Sequence, residues 1–200
     1  VPQDKEKAAY YYKMSADKGN VDSMMKYSIM LINGDGIQND NSLAEEYLRK
    51  AASSENVIAM IKLASIISDK KESARLYKMA ADKGNVNAMN KYAYMLFNGD
   101  GIEVNKQEAA NYYKMALDQG DTEAMNKYAY MLFNGDGIEI NKKKAAKYFK
   151  IAAHKGSTDA MTKLASMLEK GDGIEANKAE SGKYYRMAID KGLGISEFDH

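Results

Sequence analysis

Four aspartates, each enclosed by two glycines, come nearest to a metal-binding pattern in this sequence. The Gly-Asp-Gly triplets contain Asp35, Asp100, Asp136 and Asp172. A calcium loop needs carboxylates at several alternating positions and a bidentate glutamate near its end. Each triplet here offers one aspartate, followed in three cases by a glutamate, namely Glu103, Glu139 and Glu175. We therefore interpret the triplets as helix stops followed by tight turns, and we predict no metal site.

Catalytic chemistry finds little support in the sequence. Its two histidines, His154 and His200, have no convincing nucleophile or orienting acid nearby along the chain. His154 lies near the end of a predicted helix, where an imidazole commonly interacts with the helix dipole. The glycines do not form the Gly-Lys-Ser/Thr phosphate loop of nucleotide-binding proteins. We therefore expect a protein that is not an enzyme and that uses no cofactor.

The composition excludes several classes of partner. The chain has 200 residues and a formal net charge of +1, which gives no electrostatic reason to expect nucleic acid as a partner. No apolar run approaches the roughly 20 residues that a membrane helix needs. The absence of cysteine and of a signal-peptide segment favours a cytoplasmic location. Because the sequence begins at Val1 and soon enters a predicted helix, we expect it to be a piece of a longer protein.

An internal repeat organises the chain. Residues 88–103 and 124–139 have the same sequence, AMNKYAYMLFNGDGIE, at an offset of 36 residues. A second glycine marks the same place in the repeat at Gly19, Gly84, Gly120, Gly156 and Gly192, and Glu55 occupies that place once. One repeat, near 57–84, lacks the seven residues that would carry the triplet. A fixed period of this length is typical of a solenoid, in which each unit buries its apolar face against its neighbours.

Each repeat divides into two predicted helices, which we call helix A and helix B. In helix A of residues 86–97, Ala88, Tyr92, Met95 and Leu96 recur at helical spacing and form an apolar stripe. Helix B, about 106–118, has a stripe of Ala109, Tyr113 and Ala116. The count is about eleven helices, six of type B and five of type A. We predict a single all-α domain over 1–192 and a short tail over 193–200.

The order of these residues resembles the Sel-1-like repeat. The pattern is Ala-x-x-x-(Leu/Tyr)-Ala, then Gly-x-Gly-Ile, then Ala-x-x-Tyr-Tyr, then Ala-Ala-x-x-Gly. The resemblance implies a right-handed α/α superhelical solenoid of antiparallel helix pairs, related to tetratricopeptide repeats. It also implies a non-enzymatic scaffold or adaptor that binds a protein or peptide in a concave groove lined by helices A. The alternative is a regulatory or targeting domain of a larger multidomain enzyme such as a kinase.

Two sets of positions on helix A are candidates for binding that protein partner. A lysine column, defined by one position in all five A helices, contains Lys26, Lys62, Lys91, Lys127 and Lys163. These lysines either bind acidic groups or are solvated residues whose stems cover the apolar stripe. Opposite that stripe, the repeats differ, and two of them carry Asn90 with Tyr94 and Asn126 with Tyr130. Tyrosine is common at binding hot spots, and asparagine can both donate to and accept from a peptide backbone. We therefore predict a protein-binding surface that contains Asn90, Lys91, Tyr94, Asn126, Lys127 and Tyr130.

Overall fold

The structure is a computed structural model that describes residues 4–192, and within this range it contains helices and no strand. The predicted all-α class is confirmed, and the predicted tail at 193–200 lies outside the described residues. The helices are α1 (Lys5–Asp17), α2 (Val21–Asn33), α3 (Asn41–Ser53), α4 (Val57–Ile66), α5 (Lys70–Asp82), α6 (Val86–Asn98), α7 (Lys106–Asp118), α8 (Thr122–Asn134), α9 (Lys142–His154), α10 (Thr158–Lys170) and α11 (Lys178–Gly192). The odd-numbered helices are the B helices, and the even-numbered helices are the A helices.

The predicted helix caps form as expected. The Oδ1 atom of Asn105 accepts a hydrogen bond from the backbone N–H of Glu108 at 3.0 Å, which satisfies one of the donors left free at the start of α7. Asp121 caps α8 in the same way through the N–H of Ala124 at 2.7 Å. At the other end of α8, Gly135 adopts a left-handed conformation with φ of 81°. Short polar residues before the helices and glycines after them thus set the helix bounds.

The chain divides into two compact units. One contains α1 to α5 and most of α6, and the other contains the end of α6 together with α7 to α11. In the second unit, the predicted stripe of α7 is buried, with Tyr113 only 3% exposed and Ala109 and Ala116 fully covered. The ring of Phe149 on α9 is also fully buried. Small alanines let neighbouring helices approach closely, and the large aromatic side chains fill the space between them.

Each Gly-Asp-Gly turn rests on the first residue of a B helix. In the second unit, Lys106 Nζ donates to Asp136 Oδ1 at 2.6 Å. A Cβ atom added to Gly137, whose φ is 72°, would lie 2.5 Å from the backbone carbonyl carbon of Lys106. The same lysine–aspartate pair occurs between Lys5 and Asp35, between Lys70 and Asp100, and between Lys142 and Asp172. The triplet is therefore a docking contact between repeats as well as the helix stop that the sequence indicates.

The shortened repeat shows what this lysine does. In that repeat α4 and α5 are joined directly by residues 67–69, so no Gly-Asp-Gly turn is present. The B helix one repeat earlier, α3, begins with Asn41, whereas the four B helices that receive a turn begin with lysine. Lys178 begins the last helix, α11, with no triplet after it in the sequence. Within the chain, therefore, every triplet has its lysine, and the missing triplet coincides with the missing lysine.

Replacing two glycines of the second unit with alanine should distinguish the cost of backbone strain from the cost of a lost close contact between the turn and α7. Gly120 and Gly137 both have positive φ, but a Cβ at Gly120 would meet only the Lys155 amine at 3.7 Å. We expect Gly120→Ala to lower the free energy of unfolding by about 1 kcal/mol through strain alone. Gly137→Ala should cost about 1–3 kcal/mol more, because the turn must move away from α7. Denaturant titration measures the free energy of unfolding of both variants. Equal losses in the two variants would contradict the docking contact at Gly137.

The ion pair of Asp136 should make stability depend on pH. The hydrogen bond from Lys106 lowers the pKa of Asp136 below its ordinary value. Because the folded-state pKa is the lower one, the pair stabilises the fold above about pH 4, and this contribution is lost as the pH falls through the folded-state pKa. Asp136→Asn should therefore reduce stability at pH 7 and cost progressively less towards pH 2. The matched control is Glu123→Gln, which changes an exposed acid of α8 that has no ion pair among residues 4–192. If the effects of the two substitutions on stability depended on pH in the same way, the proposed role of the Asp136 ion pair would be refuted.

Candidate protein-binding surface

The lysine column is largely accessible on the A helices. Lys26, Lys91 and Lys127 are exposed, whereas Lys62 and Lys163 are half-buried. None of the five forms an ion pair with a carboxylate of residues 4–192, although many other lysines of the chain do. The column therefore offers positive charges that no acid within the described part of the chain neutralises.

Asn90 and Asn126 differ from the prediction, because both are buried rather than outward. Their exposed fractions are 7% and 8%. The position opposite the apolar stripe is therefore covered by other parts of the protein and does not face solvent. Direct contact between a partner and these amides is therefore limited, and their role in binding remains a prediction.

The two predicted tyrosines have different environments even though their local sequences are the same. Tyr94 in the first unit is 52% exposed. Tyr130 in the second unit is half-buried, and its ring packs edge-on against Phe149 with the centroids 4.9 Å apart. Burial, with a smaller effect of Asp159, raises the pKa of the Tyr130 hydroxyl. Tyr94 is therefore accessible to a partner, whereas Tyr130 serves partly as packing.

Lys163 forms a cationic cluster with two aromatic rings of α8. Its Nζ atom lies 3.6 Å from the centroid of Phe133 and 5.7 Å from that of Tyr130. Such cation–π contacts contribute about 0.5–2 kcal/mol, more as the cation loses water. Burial lowers the pKa of Lys163, while the nearby Asp172 partly opposes this shift. The rings accept no conventional hydrogen bond, so the ammonium keeps donors for a carboxylate or carbonyl group.

The amide of Asn126 lies beside this cluster on α8, one helical turn before Tyr130. Its Oδ1 atom is buried and has no hydrogen-bond partner among the described residues. A buried acceptor left unsatisfied costs about 1–3 kcal/mol. The first and third A helices of the chain carry Met25 and Asn90 at this position, and both are buried as well. An apolar side chain would therefore suit the site, and the asparagine reduces stability.

Lys163 belongs to the lysine column but is not one of the six residues predicted to bind a partner. The signal that could have found it was Phe133, which is aromatic at a helix edge three residues after Tyr130. The spacing along α8 could not show that a lysine from the next A helix covers that ring. The six predicted residues divide between the two units, with Asn90, Lys91 and Tyr94 in the first and the others in the second.

Other chemistry is not supported by the described residues. Over 4–192 no cluster of three or more His, Asp or Glu side chains could hold a metal ion. His154 is exposed, and its Nδ1 atom donates to the carbonyl oxygen of Lys150 at 2.7 Å in the last turn of α9. None of the helices in this range is both long and apolar enough to cross a bilayer.

Paired helices stacked in series, with exposed lysines and tyrosines on the A helices, define an α/α repeat protein. Comparison with known sequences identifies which one. The chain matches the Sel1 repeat over residues 1–20, 21–56, 59–85, 86–121, 122–157 and 158–193, and it belongs to the Sel1 repeat family. No curated protein matches the chain.

Solved structures support the same assignment. The chain is similar to c5321, described as a protective antigen of uropathogenic Escherichia coli strains with an SLR fold, at 25% identity and a TM-score of 0.89. That match covers 96% of this chain and 43% of c5321, so the chain spans less than half the length of that relative. A Sel1 repeat protein from Oxalobacter formigenes matches at 23% identity and a TM-score of 0.82, covering 92% of this chain and 81% of its own. The predicted solenoid class is confirmed.

Replacing Asn126 with leucine, which has nearly the same shape, should stabilise the protein. The change removes a buried oxygen that has no partner, so we expect the free energy of unfolding to rise by about 1 kcal/mol. Asn111→Leu on the exposed side of α7 is the control and should change stability by less than about 0.5 kcal/mol. Thermal and denaturant unfolding measure both. A clear loss of stability in Asn126→Leu would mean that the amide is satisfied within the fold.

Proposed function

We propose that this protein is a non-enzymatic scaffold that binds a protein or peptide on the surface of its A helices. Sel1 repeat proteins generally mediate protein–protein interactions, and the family is generally a non-catalytic repeat scaffold. The observation that carries the proposal is Lys163, a half-buried cation that lies over two aromatic rings and forms no ion pair with a carboxylate of the described residues. The particular partner and the particular surface are part of the proposal.

The chemistry of this surface suits an extended peptide. The Lys163 ammonium can donate to a carboxylate or a backbone carbonyl, and partial burial strengthens that hydrogen bond relative to one in water. Beside it, the half-buried Tyr130 provides ring surface, and Thr162 on α10 is exposed. Aromatic and cationic groups on one face are typical of binding hot spots.

The first unit offers a second contact of the same type. Tyr94 and Lys91 are both exposed on α6, three residues apart and therefore neighbours on the helix surface. A peptide that binds to either unit would meet an aromatic ring beside a lysine. The alternative, a regulatory or targeting domain of a multidomain enzyme, has no support in the fold or in the similar proteins.

Single substitutions should weaken peptide binding without affecting the fold. Lys163→Gln keeps the stem but removes the charge, and Tyr94→Ser installs the residue that the equivalent position carries at Ser65. Peptides selected from a displayed random library with the wild-type chain should bind Lys163→Gln or Tyr94→Ser about tenfold more weakly, which corresponds to about 1.4 kcal/mol. Titration calorimetry gives the affinities, and circular dichroism should remain unchanged.

The control is Tyr10→Ser on α1, which removes a tyrosine that is 61% exposed on a B helix. It should leave the affinity of the selected peptides unchanged. Selection of no peptides by the wild-type chain would argue against the proposed function. Selected peptides that bind all three variants equally well would place the binding surface elsewhere.

A further inference from the structure

Helix α9 differs in charge from the B helix one repeat earlier. The A helices before these two B helices share one sixteen-residue segment, AMNKYAYMLFNGDGIE, yet α7 carries two lysines and two acids while α9 carries five lysines and no acid. The exchanges that create this difference are mostly on the outer side of the helix, where Gln107, Glu108 and Asn111 of α7 correspond to Lys143, Lys144 and Lys147 of α9. The repeat architecture does not require these lysines.

Three of the five lysines of α9 form no ion pair with the described residues. Lys142 pairs with Asp172 at 2.7 Å, and Lys150 pairs with Glu180 of α11 at 3.1 Å. Lys143, Lys144 and Lys147 are exposed and form no ion pair within residues 4–192. Like charges three and four residues apart on a helix repel each other by a few tenths of a kcal/mol. The cluster therefore destabilises the isolated helix and is available for an external anion.

A groove of about 390 Å³ lies directly beside this cluster. Its floor is apolar and consists of Ala146 with side chains of α10 and the following turn, namely Leu164, Leu168 and Ile174. Its charged lining consists of Lys143, Lys147 and Lys150 with Glu175 and Glu180. Because Lys150 pairs with Glu180, the groove combines an apolar floor with two unpaired lysines and one further glutamate.

We propose that this groove binds an acidic segment of a partner protein, with one apolar side chain on the floor and flanking carboxylates on Lys143, Lys144 and Lys147. A volume of this size accommodates a leucine-sized side chain and part of its backbone. Charge complementarity of this type steers association and selects against basic partners. The lysines of this surface lie on the B helix α9, and the groove shares no residue with the surface proposed for the A helices, so it does not depend on that proposed function.

Nucleic acid fits the groove less well than an acidic peptide. Nucleic acid is bound by basic stripes that contact several phosphates in series. Here the basic cluster is a single helical turn, Glu175 and Glu180 face the same groove, and the net charge of the chain is only +1. An apolar floor offers nothing to a phosphate group, but it desolvates a leucine side chain.

The test uses the whole chain and the acetylated, amidated peptide Glu-Asp-Glu-Leu-Glu-Asp-Glu in titration calorimetry. The variant Lys143→Gln/Lys144→Glu/Lys147→Asn installs the side chains that α7 carries at these positions, so the fold should tolerate it. We expect at least a tenfold loss of affinity in this variant. The control variant Lys18→Gln/Lys71→Glu/Lys170→Asn removes the same charge from exposed lysines elsewhere and should bind like the wild type.

A change in the peptide tests the apolar floor on the wild-type protein. Serine in place of leucine should weaken binding about tenfold, since the floor then has no side chain to bury. The proposal is overturned if the wild-type chain does not bind the peptide, if the control variant loses as much affinity as the α9 variant, or if the serine peptide binds equally well. It is also overturned if an oligothymidylate strand displaces the peptide and binds more tightly.

Discussion

Each Gly-Asp-Gly turn is held against the first residue of a B helix that lies one repeat earlier in the chain. The lysine and the aspartate of each pair are 30 residues apart, as in Lys106 with Asp136 and in Lys142 with Asp172. The second glycine of the triplet has no side chain, so the turn backbone touches the helix backbone directly. At each of the four turns this contact helps to fix where one repeat sits on the next, beside the packing of the helices themselves.

Much of the fold could be predicted from the sequence, because the relevant signals are local. Asn105 caps α7 through a neighbour three residues away, and Gly135 ends α8 with its own backbone. The partner of Asp136 could not be found in this way, since the lysine lies a full repeat away and lysine is common on every helix. A comparison of the repeats could have identified this lysine, because Asn41 replaces it where the following repeat lacks the Gly-Asp-Gly turn.

The binding surface was harder to predict than the helices. Asn126 lies opposite the stripe that packs within its own repeat, so the helical period predicts an exposed amide. In the folded protein this amide is buried, with an exposed fraction of 8%. Tyr94 and Tyr130 differ in exposure although their segments are identical in sequence. Exposure in a repeat protein depends on the neighbouring repeats, which a pattern within one helix does not contain.

The same constraint explains why the repeats can differ in charge without changing their fold. In a B helix, the first residue is held by the turn, and the alanines and aromatic residues pack against adjacent helices, as Ala145 and Phe149 do in α9. The outer positions make neither contact, so α7 and α9 can carry different side chains at the positions of Lys143 and Lys147. Variation at the outer positions of the B helices therefore costs the docking contacts little, whereas a change at the buried Asn126 of an A helix affects stability.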